Sequence, residues 1–450
     1  MLFREDSQLN GLLSEADWGL DSASMPHDIT HLAQTNYRHD DRVFGIKQAD
    51  RRLHMYVLGK TGSGKSTLIK NLVGQDIQNG HGVGVIDAHG DLIKDILNLC
   101  PMGRTNDIVY FDPADHDHPI GFNILESVSP QQRPLVASQV ISVFRNIWQD
   151  SWGPRLEYIL YNSVTSLLDS EGNTLLGIPR LLTDEKFRDR VVRQIKNPVV
   201  KKFWLNEYDR YSSNFKQEAI APVLNKVGQF LADPQIRNIV GQPKNKIDMG
   251  FMMDNRRILL CNLAKGSIGD DKTRLLGSLL VTKLFLAALK RTTQPEEERR
   301  DFYLYIDECQ NLSTEIFASI LSEARKYRLN LILAHQYLEQ IPKEIKSAIL
   351  GNVGTLITFR LGLEDALELE NEFKAKFTAA DLENIGKHQI YLKLAIDGVT
   401  SQPFSAKTIL PKISQDFRNN VEGIIRTSRQ KYGVPREIVE DKINRWLGVK

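Results

Sequence analysis

A glycine-rich stretch, G-K-T-G-S-G-K-S at Gly59 to Ser66, constrains this chain more than any other feature. It follows a short apolar run, H-M-Y-V-L-G (His54 to Gly59), and leads into helical text starting near Lys65, before a second strand-like run, G-V-G-V-I-D, at Gly82 to Asp87. Strand, glycine loop, helix and strand in that order open an α/β parallel sheet. The spacing satisfies G-x-x-x-x-G-K-[ST]. Glycines there let successive backbone N–H groups converge on phosphate oxygens, and the helix N-terminus adds partial positive charge. Gly59, Lys60, Thr61, Gly62, Ser63, Gly64, Lys65, Ser66 and Thr67 are therefore the expected ATP-binding residues. Lys65 would reach the β and γ phosphates, and Ser66 would ligate Mg2+.

Such a loop needs an acid on a neighbouring strand. F-Y-L-Y-I-D-E (Phe302 to Glu308) supplies one after an aromatic and β-branched run of the kind that forms a buried strand. Asp307 is the expected second magnesium ligand, and Glu308 can polarise the attacking water. The next strand-like run ends in A-H-Q, placing Gln336 one strand over, where an amide could sense the γ-phosphate or orient water. Lys65 and Asp307 lie too far apart for a bare nucleotide-binding core. Helical text between about Val128 and Met249 accounts for the gap as an inserted all-α domain. Strand text resumes at Arg257–Leu263, Phe302–Asp307, Leu329–Gln336 and Thr355–Arg360, and Asp397-Gly398 marks a final hairpin. The predicted division is an N-terminal arm over 1–40, a first core part over 41–127, the insertion over 128–250, a second core part over 251–411 and a helical tail over 412–450. Residues 1–40, polar and turn-rich, read as a mobile or docking arm.

Composition excludes whole classes without choosing a partner. With 450 residues, 41% hydrophobic and 25% charged, the chain is neither disordered nor fibrous. Lys plus Arg at 58 against Asp plus Glu at 56 leaves a formal charge of +2, so any nucleic-acid contact rests on local basic faces. The most apolar stretch, Leu275 to Leu289, is about 15 residues long and broken by Lys283, where a membrane span needs roughly 20. The N-terminus has no apolar core of a signal peptide. A cytoplasmic protein is expected, with any peripheral attachment at the inner face of the cell membrane left to partners. Cys100, Cys261 and Cys309, far apart and in no C-x-x-C pair, fit reduced thiols.

The loop at Gly59–Ser66, V-I-D-A-H-G-D-L at Val85–Leu92, and Y-I-D-E-C-Q-N-L at Tyr305–Leu312 followed by S-E-A-R-K-Y-R and L-A-H-Q together resemble the HerA/FtsK branch of RecA-like ATPases. Within it they are most similar to the soluble part of type IV secretion coupling proteins of the TraG/TraD kind, over roughly Phe44 to Pro411. The resemblance implies a RecA-like core with an all-α insertion, a homohexameric ring with ATP between subunits, and DNA in or near a central channel. It also implies ATP hydrolysis coupled to movement of DNA or nucleoprotein toward a secretion channel, with secretion or relaxosome proteins as further partners. Arg325, in S-E-A-R-K, is similar to the arginine such motors insert into a neighbour's site, and Arg360 is the second candidate; an intersubunit or surface ion pair is the alternative for each.

Three features depart from that pattern: the chain has no membrane-spanning helices, Ala88 replaces a proline, and Cys309 replaces an aromatic. The basic residues of the insertion (Lys186, Arg188, Arg190, Arg193, Lys196, Lys201 and Lys202) are interleaved with acids and read as a solvated helix face rather than a DNA site. K-G-S-I-G-D-D-K-T-R (Lys265 to Arg274) reads as a polar loop, either channel lining or surface turn. Rival readings are a HerA-like helicase or packaging motor on free DNA, and a nucleotide-gated scaffold that moves no DNA.

Overall fold

The computed structural model describes residues 28–36, 41–126, 128–312, 316–374, 376–410 and 420–448. They pack as two units, one drawn from 1–109, 249–262 and 284–425 and the other from 110–248, 263–283 and 426–450.

The first unit is organised by a mixed sheet. Its parallel centre comprises β9 (Thr355–Thr358), β3 (Met55–Leu58), β8 (Leu329–His335), β7 (Phe302–Ile306), β4 (Gly82–Asp87) and β6 (Ile258–Asn262), and β5 (Ile108–Phe111) closes that side. β3, β7, β8 and β9 are buried at every position, as strands covered on both faces must be, which explains their largely apolar text. From β9 outward the pairing turns antiparallel through β10 (Gln389–Lys393), β13 (Phe404–Thr408), β1 (Ile29–Thr35) and β2 (Val43–Lys47). A separate ribbon joins β11 (Ala395–Ile396) to β12 (Val399–Thr400) across Asp397 and Gly398, both at positive φ, as the Asp-Gly turn signal predicts.

The arm expected over 1–40 is corrected here. Residues 1–27 and 37–40 lie outside the described residues, but Ile29–Thr35 is a strand with Leu32 and Ala33 fully buried. It pairs with the nearby β2 and with β13, more than 350 residues further along the chain, and nothing local in the text signals that second pairing.

A buried ionic cluster ties the helix Lys65–Gln78, which follows the glycine loop, to the acid-bearing strand. The guanidinium of Arg51 makes two parallel bonds to the carboxylate of Asp76, near that helix's C-terminus, the second at 2.8 Å. It also donates to Thr30 Oγ1 on β1 and to the Tyr305 hydroxyl on β7, each at 2.8 Å, and lies 3.7 Å above the Tyr303 ring. Arg51 is 1% and Asp76 0% exposed, so neither charge has water to fall back on.

The second unit is helical. Its longest helices, Arg133–Ile147, Pro154–Asp169 and Ser213–Ala232, pack around Phe144, Trp148 and Phe230, whose ring centroids lie 5.1–6.5 Å apart. Trp204 is buried and donates to Ser166 Oγ at 2.8 Å. Lys283, on the helix Asp270–Lys290, donates to the Glu126 carbonyl at 2.7 Å, which accommodates a cation on an apolar helix.

Residues 265–274, expected as a loop, instead form the turn Lys265–Ile268 and the start of that long helix. Asp270 and Asp271 favour the helix N-terminus electrostatically, and Asp270 pairs with Lys265 and Arg274. On the helix Glu185–Gln194, Lys186, Arg190 and Arg193 are exposed, whereas Arg188 is buried and donates to the Leu181 carbonyl.

The C-terminal segment, expected as a tail, packs as part of the second unit. Trp446 meets Phe187 edge-on with Arg180 over its ring, Glu440 accepts from Asn238, and Arg429 pairs with Asp115. Among the described residues no helix is long and apolar enough to cross a membrane, and Cys100, Cys261 and Cys309 are buried and in no disulfide.

Removing one partner of a buried ion pair leaves the other charge without compensation. Asp76→Ala should therefore lower stability by about 3–5 kcal/mol, and Tyr305→Phe by about 1 kcal/mol. Urea unfolding checks both. An Asp76→Ala protein as stable as the parent would mean the cluster does not hold helix to sheet.

Candidate functional site

The site forms at the C-terminal edge of the parallel strands, where loops leave the sheet on the side that binds ligands in open α/β folds. The glycine loop runs from the end of β3 into the helix Lys65–Gln78. Gly62 and Gly64 sit at φ 74° and 125°, a region closed to most side chains. A Cβ at Gly64 would also lie 2.9 Å from His388 Nδ1. Neighbouring strands hold the loop by backbone bonds, Gly59 N–H to the His335 carbonyl at 3.3 Å and Lys60 N–H to the Arg360 carbonyl at 2.9 Å. The Lys65 ammonium folds back onto the carbonyls of Gly59 and Lys60. Burial lowers its pKa, while Glu308 and Asp307 pull the other way.

Opposite the loop stand three carboxylates. Asp307 and Glu308 follow β7, and Asp87 ends β4, the adjacent parallel strand. Asp87, fully buried, accepts from the backbone N–H groups of His89 at 2.8 Å and Ile93 at 3.1 Å, organising the turn into the helix Asp91–Leu97. Burial, then the like charges of Glu308 and Asp87, push the Asp307 carboxyl up to about 7, with Lys65 opposing.

Glu308 adopts left-handed backbone at φ 55°, uncommon for a non-glycine residue and of the kind that clusters at functional sites. Its carboxylate accepts from Gln336 Nε2 and, at 2.7 Å, from Gln310 Nε2, and His89 Nε2 lies 3.8 Å away. Gln336 in turn accepts from the Thr61 hydroxyl at 2.6 Å, so its amide bridges the glycine loop and the acid. Behind it His335 is buried, kept neutral with its pKa lowered to about 4, and bonded through Nδ1 to the Tyr56 hydroxyl at 2.9 Å.

Between these elements lies a cavity of about 540 Å³, lined among others by Thr61, Lys65, Ser66, Asp307, Glu308 and Gln336. The fold thus brings the glycine-loop residues, both acids and the glutamine together, with β8 as the single strand between β3 and β7. Arg360 lies at the same edge, with its backbone on Lys60 and its side chain exposed. Arg325 does not join them. It is exposed in the turn Ala324–Tyr327 before β8, and the strand's length of about 20 Å separates it from this edge.

Sequence reasoning missed Asp87, His89, Lys387 and His388, which also line the cavity. V-I-D-A-H-G-D contained the signal for the first two, an acid ending an apolar strand; Lys387 and His388 carry none. Ala88 and Cys309, two of the three departures from pattern, are both buried small residues beside the acids.

A parallel sheet with a phosphate-type loop on one strand and an acid pair two strands over is a RecA-like P-loop nucleotide-binding fold. The family model for the type IV secretion-system coupling protein DNA-binding domain matches residues 44–372, and the chain belongs to that family. The type 4 coupling protein DotL of Legionella pneumophila is 21% identical, aligned over 96% of this chain. The chain spans 64% of that relative's length. Among solved structures, the conjugative coupling protein TrwB in its unbound form superposes with a TM-score of 0.60 at 16% identity, covering 85% of this chain and 89% of that one. TrwB in complex with ADP and Mg2+ gives 0.60 at 16%, covering 86% and 92%. VirB4 of Thermoanaerobacter pseudethanolicus gives 0.56 at 17%, covering 84% and 95%.

The raised Asp307 pKa has a stability consequence. Folded protein holds a proton between pH 3.8 and about 7 that the unfolded chain releases, so this group's contribution is present below pH 3.8 and lost as pH rises through 7. The shift corresponds to roughly 4 kcal/mol. Asp307→Asn should be more stable than the parent at pH 8 and gain less at pH 5, as read by urea unfolding at both. Equal pH dependence in the two proteins would contradict the burial and crowding of this carboxylate.

Proposed function

We propose that this chain is an ATP-hydrolysing motor of the coupling-protein type, working as a homohexameric ring that moves DNA or nucleoprotein toward a secretion channel. Relaxosome or secretion proteins would be its partners, and peripheral contact with the cell membrane would come through them. The observation that carries the reading is the convergence of Lys65, Asp307, Glu308 and Gln336 on one cavity beside the glycine loop. Membership in a family described by a DNA-binding domain, and the ADP and Mg2+ held by TrwB, support it.

Burial, then the like charges of Glu308 and Asp87, hold Asp307 partly protonated, and a divalent cation beside it would relieve that charge. Ser66 and Asp307 would hold Mg2+, which when bound draws charge from the phosphates. Backbone N–H groups of Gly62 to Lys65 cradle the phosphates, and Lys65 turns from its own loop carbonyls to the β and γ oxygens. Glu308 takes the proton of the attacking water. Gln336, linked to both Thr61 and Glu308, orients that water relative to the γ-phosphate. Arg360 sits beside its own loop. Arg325, at the opposite edge, can reach a nucleotide only on a second copy of the chain, so it is the arginine assigned to act in trans.

Lys65→Ala should cut ATP turnover at least 100-fold, the scale for losing a preorganised charge at a transferring phosphoryl group. Parental turnover in that variant rejects the site assignment. Arg325→Ala should lose roughly 10³-fold in turnover while still binding nucleotide; a fully active monomer in sedimentation would overturn the trans assignment. Hydrolysis should rise on adding DNA and lose that stimulation as salt is raised, since phosphate contacts release counterions. Absence of stimulation at low salt by both single-stranded and duplex DNA counts against translocation.

A further inference from the structure

The general base assigned above is a flexible side chain on strained backbone, and its orientation needs an explanation beyond Gln336. Glu308 has three single bonds between backbone and carboxylate, and its φ of 55° gives its own main chain no helical or strand support. The turn Cys309–Leu312 supplies the support instead. Asn311 donates to the Glu308 carbonyl twice, from its backbone at 3.1 Å and from Nδ2 at 3.0 Å, and Glu308 N–H donates to Asp307 Oδ1 at 3.1 Å. These bonds hold the backbone. The carboxylate is held separately: Oε1 accepts from Gln336 and Oε2 from Gln310 at 2.7 Å.

The two amides are not equivalent. Gln336 also bonds Thr61, so its position follows the glycine loop and whatever the loop holds. Gln310 belongs to the same turn as Glu308, two residues on, where Cys309, Asn311 and Leu312 face inward and anchor it. Its other amide atom, Oε1, is buried and has no hydrogen-bond partner among the described residues. A buried unpaired amide oxygen is costly, and a simple flip cannot relieve it, because that would set oxygen against the carboxylate. The side chain therefore keeps its N–H aimed at Glu308 at the expense of its own second bond.

We infer that Gln310 is a positioning residue for hydrolysis, fixing the Glu308 carboxylate toward water independently of nucleotide. It is not among the residues lining the cavity and acts only through Glu308. The inference rests on Glu308 being the base. Loss of Gln310 should lower the rate of the chemical step without altering nucleotide affinity, since no part of Gln310 lines the cavity.

The test measures ATP turnover and nucleotide affinity of the full chain for Gln310→Ala and for the near-isosteric Gln310→Met, each alone and combined with Glu308→Gln. Either single variant that folds should lose about 10- to 100-fold in kcat, part of the contribution of a positioned base, with KM and Kd for ATP within twofold of the parent. In the Glu308→Gln background neither change should lower residual turnover further, because the carboxylate it positions is gone; a merely structural role would remain additive there. A folded variant with kcat within twofold of the parent overturns the inference. So does a loss of affinity parallel to the loss of kcat, or additivity with Glu308→Gln. If Glu308→Gln alone keeps parental turnover, or the parent has none, it is the reading of the site itself that falls, and this inference with it.

Discussion

The Arg51 guanidinium, with almost no exposure to water, joins three parts of the chain that sequence keeps apart: β1 through Thr30, the helix after the glycine loop through Asp76, and β7 through Tyr305. Once these groups are buried, each must find its partner or cost several kcal/mol, so the cluster admits one arrangement of helix against strand. Asp307 lies two residues beyond Tyr305, and Lys65 opens the helix that Asp76 nearly closes. The separation between phosphate loop and acid pair is thereby constrained through the helix and the strand that carry them.

On the ligand side the same economy of burial works in reverse. Asp307, Glu308 and Asp87 gather where like charges repel and water is scarce, and the cost appears as an Asp307 carboxyl titrating near 7. Lys65 offsets part of it. A cluster with this much unrelieved charge is stable only because the sheet around it is over-determined, and a cation with phosphate is the kind of ligand that would discharge it. Strain at Glu308 belongs to the same pattern, since the turn that follows supplies hydrogen bonds that ordinary strand termination would not require.

Legibility followed how local each signal was. β4 and β7 begin where the text places them, because strands buried on both faces write themselves as apolar runs. β1 was unreadable: ITHLAQT is half polar and becomes a strand only because β13 and β2 flank it. Residues 265–274 looked like a loop since glycine and charge dominate, yet two aspartates at a helix N-terminus and the apolar face behind them make a helix start. The C-terminal helices read as a tail because Trp446 and Ile443 gain their meaning only against Phe187 and Gly241.

The sequence by itself determined the chemistry: a phosphate-binding loop, an acid pair and a glutamine, each encoded within a few residues whose backbone conformation is local. It also determined that helical text interrupts the sheet. Only the tertiary structure decided which of these groups meet. It brought Asp87 to the acids and moved Arg325 to the far edge of the sheet, because strand order and burial are properties of pairings between distant segments. Those pairings leave no periodicity in the text of either partner.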